Sequence, residues 1–178
     1  MTPEQVVKYW REAGPTRWFT KSEAFDAELR THFEAAHQTA ACGGFTDWEE
    51  TPDGALALLV LLDQIPRNLY RGSAHAFATD APAREVAARV IARGLDQGVE
   101  PALRCFVYLP FEHAENSGDQ ARSVALFETL GDADYLQYAI LHRDIIARFG
   151  RFPHRNAVMG RVSTPDELAF LDGGGFAG

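Results

Sequence analysis

Only two cysteines, Cys42 and Cys105, occur in the 178 residues, too far apart for a Cys-x-x-Cys pair and outside any Cys/His cluster with zinc spacing. A disulfide framework and a structural zinc site are both disfavoured, and a reducing cytoplasm is the natural compartment. Long apolar runs are missing too. The longest, Ala55 to Leu62, falls far short of the ~20 residues that span a bilayer. Met1-Thr2-Pro3-Glu4-Gln5 has neither the basic region nor the apolar stretch of a signal peptide. Positive charge is in deficit, with 17 Lys plus Arg against 25 Asp plus Glu and a formal net charge of -8. Neither nucleic acid nor a membrane is an expected partner, because non-specific affinity for phosphates comes mainly from cations. No Gly-rich phosphate loop, Gly-x-Ser-x-Gly elbow or His-Glu-x-x-His helix is present, which disfavours dinucleotide and P-loop chemistry. The cofactor, if any, is unknown from the sequence.

What the chain does have is apolar bulk and helix punctuation. With 12 Phe, 5 Tyr and 3 Trp it can build a core without staples. Thr2-Pro3-Glu4-Gln5 is a capping box with proline at the first helical position, opening a helix that runs to about Glu12 and ends at Gly14-Pro15. Phe25, Leu29 and Phe33 define one face of a second, from Glu23 towards His37, broken by Cys42-Gly43-Gly44. Thr51-Pro52-Asp53 opens a third, whose run from Ala55 to Leu62 is apolar all round and belongs at the centre of the core. From Asp80, apolar residues recur at helical steps, with Glu85, Arg89 and Arg93 as a solvated ladder outside. Ser117-Gly118-Asp119-Gln120 reads as a capping box, which by itself accounts for Gln120. Asp134 reads as the cap of a helix whose inner face is Tyr135, Tyr138, Ala139, His142, Ile145, Ile146 and Phe149. Thr164-Pro165-Asp166-Glu167 opens a last, short helix. The only candidate strand, Arg104 to Leu109, is short. The pattern predicts an all-α fold: an irregular helical array of roughly seven to nine helices in a single domain over residues 1–172, with a flexible Gly-rich tail over 173–178.

Three polar clusters do not follow from packing alone. The first is Asp63-Gln64-Ile65-Pro66-Arg67-Asn68-Leu69-Tyr70-Arg71, where Pro66 should bend or stop the apolar helix and free carbonyls that need partners. Asp63 with Arg67 and Arg71 reads either as a structural ion pair or as an anion-binding group facing a cleft. The second, Tyr108 to Asn116, holds Glu112, His113 and Glu115 after Pro110, a set able to supply general acid and base groups. A first helical turn would explain the two acids but not His113. The third, His142 to Asn156, is locally basic in an acidic chain and attracts anions.

The strings Leu62-Asp63-Gln64-Ile65-Pro66-Arg67-Asn68, Leu109-Pro110-Phe111-Glu112-His113-Ala114-Glu115 and Phe149-Gly150-Arg151-Phe152-Pro153-His154-Arg155-Asn156 together resemble an uncharacterised bacterial family, number 924 in the domain-of-unknown-function series. The likeness spans nearly the whole chain. It implies an all-helical, tetratricopeptide-like fold and no established activity. It also implies that Asp63, Gln64, Arg67, Asn68, Arg71, His113, Glu115, His142, Arg151, His154, Arg155 and Asn156 fill the family's characteristic polar positions. Ala114 stands where relatives often carry a small hydroxyl residue, so no serine nucleophile is available there.

These residues point to a polar pocket for a small anionic metabolite, on which the protein might also act. Arg67, Arg71, Arg151 and Arg155 would hold the anion, with Asp63, Gln64, Asn68, His142 and Asn156 lining the site. His113 would act as base or acid oriented by Glu115, and His154 as a second proton donor. The competing reading is a protein-interaction module, with a partner protein seated in a helical groove that exposes Tyr70, Phe77, Trp10 or Trp18 and with the clusters as a structural network. A metal site built from His113, Glu115 and His142 or His154 is not expected, since separate segments would have to converge.

Overall fold

The structure, a computed structural model, describes residues 1–177 and is all-helical, with no strand among the described residues. The chain divides into two compact units: Met1–Arg71 with His75–Pro110, and Gly72–Ala74 with the chain from Phe111 onward.

In the first unit, α1 (Pro3–Trp18) begins with the expected capping box, and Gly14 leaves the helix at φ 73°, a kink after which one more turn runs through Pro15. The kink brings Trp18 back over Trp10, whose carbonyl accepts the indole N–H at 2.7 Å. Both tryptophans are buried, so neither serves an open groove. α2 (Glu23–Ala41) runs four residues past His37 before its break. α3 (Pro52–Leu59) is buried along almost its whole length, as its unbroken apolar run requires. Each such leucine contributes about 1.5–3 kcal/mol by leaving water.

Pro66 does not stop this helix. The chain widens into a π turn, Val60–Gln64, where the Ile65 N–H reaches the Val60 carbonyl, and continues as α4 (Ile65–Leu69) with Pro66 in its first turn, where no donor is needed. The carbonyls freed by the wider turn are taken up by side chains. His37 Nδ1 lies 2.9 Å from the Leu61 oxygen, Thr79 Oγ1 donates to Leu62 at 2.5 Å, and Arg67 donates to Asp63 at 2.5 Å. α5 is Asp80–Ala92. Its outer arginines do not pair along the helix as a ladder with Glu85: Arg89 forks onto Glu49 and Arg93 onto Glu50.

The stretch read as a possible strand is helical: α6 spans Cys105–Glu112. Residues 105–109 are all buried, so no polar face marked their period, and an apolar run of this length is ambiguous between the two structures. α6 ends at Glu112, which leaves His113 and Glu115 in a connecting loop instead of on a common helix.

The second unit holds the last residues of α6, then α7 (Ser117–Leu130), α8 (Ala133–Phe149) and α9 (Pro165–Asp172). α7 and α8 pack on each other as a hairpin around Gly131 and Asp132. The caps sit one or two residues before their expected positions. Asn116, not Ser117, accepts from the Asp119 N–H, and Asp132, not Asp134, accepts from the N–H groups of Asp134 and Tyr135. Tyr138, placed by its spacing on the inner face of α8, is instead 54% exposed. Gln120 is more than a cap residue: it is fully buried, and its amide donates to the carbonyls of Glu112 at 2.6 Å and Ala114 at 2.8 Å. One side chain therefore closes the end of α6 and fixes the loop that carries His113. The tail expected over 173–178 reaches residue 178, outside the described residues. Within it, Phe176 is half-buried.

Candidate functional site

The first cluster lies wholly in the first unit, and its charges are matched there. Asp63 is fully buried and receives Arg67 at 3.2 Å, while the other arm of Arg67 meets Asp80 at 2.9 Å. Burial works against the Arg67 charge, but the two aspartates outweigh it and hold its pKa above the usual value. Gln64 donates to Asp63 at 2.5 Å. Arg71 does not pair with Asp63; it forks onto Asp26 at 2.8 and 3.0 Å, and Asn68 donates to the same carboxylate at 2.8 Å. Burial tends to raise the Asp26 pKa, yet these donors leave it lowered.

The second and third clusters meet in the second unit. Glu115, in the loop after α6, accepts both arms of Arg161 at 2.6 and 2.9 Å and the backbone N–H of Phe152 at 2.8 Å. Its burial would raise its pKa, but these partners reverse the sign. This carboxylate thus ties the His113 loop to the segment carrying His154 and Arg155. Arg151 forks onto Glu167 at 2.7 and 2.9 Å. With the Arg151 bonds as the leading cause, Glu167 is held at about 2. Glu167 also closes the capping box of α9 through the Thr164 N–H, and its Oε2 accepts from Asn156 at 3.2 Å.

Three imidazoles gather beside this scaffold. His142, on α8, is buried, with Nδ1 2.8 Å from the Tyr138 carbonyl. That carbonyl can only accept, so it holds the ring proton on Nδ1 and leaves the lone pair on Nε2. Burial pushes the His142 pKa down to about 3 against the pull of Tyr138, and His113, Arg155 and His154 add to the depression. Its ring is therefore neutral near pH 7, and the 3.4 Å approach of Nδ1 to buried Glu112 is a polar contact of a neutral ring. His113 stands at a ring distance of 6.5 Å from His142. His154 is pushed down to about 4, first by burial and then by Arg155, and its Nδ1 is buried without a hydrogen-bond partner. Arg155 is 6% exposed, with its guanidinium 4.6 Å from the centre of the Phe152 ring.

The group combines two imidazoles that hold lone pairs near neutral pH with cations that favour negative charge nearby. Among the described residues no set of three or more His, Cys, Asp or Glu is arranged to hold a metal ion. A separate hollow of about 440 Å³ is lined by Arg148, Phe149, Arg151, Thr164, Asp166 and Glu167 and touches none of the histidines.

Of the expected site residues, His113, Glu115, His142, Arg151, His154, Arg155 and Asn156 all belong to the second unit; Asp63, Gln64, Arg67, Asn68 and Arg71 belong to the first. Sequence reasoning missed Arg161, which lies in a stretch without pattern, and gave Glu167 only its capping role. No local signal marks the pair: Glu115 meets Arg161 46 residues away, and the half-burial that makes a cation necessary is set by the fold.

The chain is similar to the protein of unknown function ATU0120 from Agrobacterium tumefaciens. The two are 46% identical over 96% of this chain and 97% of that one, with a TM-score of 0.93. No curated protein matches. A family model described as bacterial protein of unknown function, DUF924, matches residues 6–175, and the chain belongs to that family.

Proposed function

We propose that the histidine cluster of the second unit binds a small anionic metabolite and exchanges protons with it. The observation that carries this reading is His154: a buried imidazole nitrogen with no hydrogen-bond partner, where burial and then the influence of Arg155, opposed by Glu115 and joined by His113 and Arg161, favour the neutral ring. Leaving such a group unpaired costs about 1–3 kcal/mol. A ligand bearing negative charge offsets that cost and meets the local positive field. Arg155 is the anion-holding residue in this reading, with His113 and His154 as the proton-exchanging groups. Arg67, Arg71 and Arg151, each matched by carboxylates, are scaffold. Burial and then nearby cations depress the imidazoles, and an anion opposes the second of these, so binding should draw in a proton and tighten as pH falls below neutrality. Calorimetry with inorganic phosphate and acetate, repeated in buffers of different ionisation enthalpy, tests this directly. Uptake of a proton on binding, with loss of binding in folded H154A and R155Q variants, is the expected result. Binding that is unchanged in both variants overturns it.

A second reading has its own support. Tyr138 and Leu141 stand 54% and 38% exposed on one stretch of α8, and the first cluster is satisfied by internal ion pairs, as expected of an interaction module with a structural polar network. A partner retained by the native protein and lost in a Y138A/L141A variant would favour it. The cytoplasm is the proposed location under both readings, supported by Cys42 and Cys105 not being joined as a disulfide.

A further inference from the structure

The histidine cluster is covered by the chain itself. After α9, Gly173, Gly174 and Gly175 turn the backbone onto the end of that helix, through N–H bonds to the carbonyls of Ala169, Leu171 and Phe170. The turn needs glycine. Gly174 sits at φ 79°, and a Cβ on Gly175 would lie 2.5 Å from the Phe170 carbonyl oxygen and 2.6 Å from its ring. The reversal delivers Phe176 onto the imidazoles, with ring centres 4.6 Å from His142 and 5.4 Å from His154, both edge-to-face. Phe176 also rests on the apolar cluster of Ile145, Ile146 and Phe152. An apolar, ring-sized subsite with two imidazole walls therefore lies against Phe152, whose ring faces the Arg155 guanidinium at 4.6 Å, and is filled by a residue from the segment after α9.

We infer that Phe176 is a displaceable occupant, and that the ligand is a carboxylate carrying an aromatic ring which takes the place of Phe176. This rests on the histidine cluster being an anion site and adds the chemistry of the ligand's other end. The seat is shaped for an aryl group because it already holds one: edge-to-face geometry with His142 and His154 rewards a ring over a flexible chain. The strap is suited to leave. Phe176 is only half-buried, and the turn that delivers it is held by backbone bonds to α9, so the ring can leave without that turn being broken. A closed strap taxes ligand affinity by the fraction of time the seat is open, so a strap open one-tenth of the time weakens binding about tenfold.

The test compares phenylacetate with acetate by calorimetry on the full chain, native and Phe176→Ala. The expected result is phenylacetate binding about tenfold tighter in the variant with acetate changed less than about twofold, and phenylacetate but not acetate shifting the Phe176 ring resonances of the native protein. Equal phenylacetate affinity in both proteins, with acetate still bound, overturns the displaceable strap and leaves the anion site standing. Benzyl alcohol binding to the variant while neither carboxylate binds overturns the carboxylate and the anion reading together. Should Phe176→Ala fail to fold, Phe176→Leu keeps an apolar plug without the ring. It should still bind phenylacetate more tightly than the native protein, and equal affinity there is equally fatal.

Discussion

At the scale of single residues, the pairing of carboxylates decides which polar groups hold the fold together. Glu115 is the clearest scaffold member, because it joins the loop after α6 to Phe152 and Arg161 by three contacts between 2.6 and 2.9 Å. Replacing it by Gln keeps the shape but removes the charge that offsets half-buried Arg161. A loss of about 1–3 kcal/mol is expected in urea unfolding, with the Phe152 amide exchanging faster with solvent. Arg161→Met should cost a similar amount, and the double variant less than the sum, since each single change strands the other's partner. An additive double variant would show that the pair carries no coupling. Arg151 with Glu167 obeys the same logic, and Arg151 is not separable by sequence from Arg155, which lies in the same basic stretch. The acids that fix Arg161 and Arg151 stand at positions 115 and 167, and only folding brings these within reach.

At the scale of elements, helix starts were legible because capping chemistry is local: Thr2, Ser22, Thr51 and Thr164 each accept from the N–H three residues on, within a sequence window that can be read directly. Element ends were less legible where the partner is remote. Pro66 reads as a bend or a stop, yet the π turn before it and the donors from His37 and Thr79 let the helical path continue; those donors lie 24 and 17 residues away from the carbonyls they serve. Gln120 shows the same limit. Its position in a capping pattern gave it a sufficient local explanation, while its actual work is to end α6 and hold the His113 loop. Gln120→Leu fills the same space without donors, so the carbonyls of Glu112 and Ala114 lose their partner. The expected outcome is a loss of about 1–3 kcal/mol and faster amide exchange across residues 113–116. Unchanged exchange there would mean that the loop is held by Glu115 alone.

At the scale of the whole molecule, net charge concealed the feature that most shapes its behaviour in acid. A chain at -8 suggests stability governed by its carboxylates, but the held-down acids respond late. Glu115 and Glu167 have pKa values lowered from 4.5, and Asp26 from 3.8, so the stability they contribute is complete above those values and is lost only as pH falls through their lower folded pKa, about 2 for Glu167. His142, buried, and His154, half-buried, act earlier and with the opposite relation between charge and folding. Their pKa values fall from 6.5 to about 3 for His142 and about 4 for His154. Below pH 6.5 the unfolded chain therefore takes up protons that the folded chain refuses, and stability falls with pH throughout that window. Each histidine contributes a slope of up to about 1.4 kcal/mol per pH unit, so between pH 6.5 and 4.5 the pair can remove up to about 5 kcal/mol. Urea midpoints measured across this interval should decline steeply in the native protein and with roughly half that slope in His142→Gln, whose amide can still meet the Tyr138 carbonyl. A full slope in that variant would locate the acid sensitivity elsewhere. Under the proposed anion site, bound carboxylate should recharge one of these imidazoles, His154, so a saturating anion ought to flatten its share of the decline, linking the stability of the fold to occupancy of the proposed site through one proton-binding group.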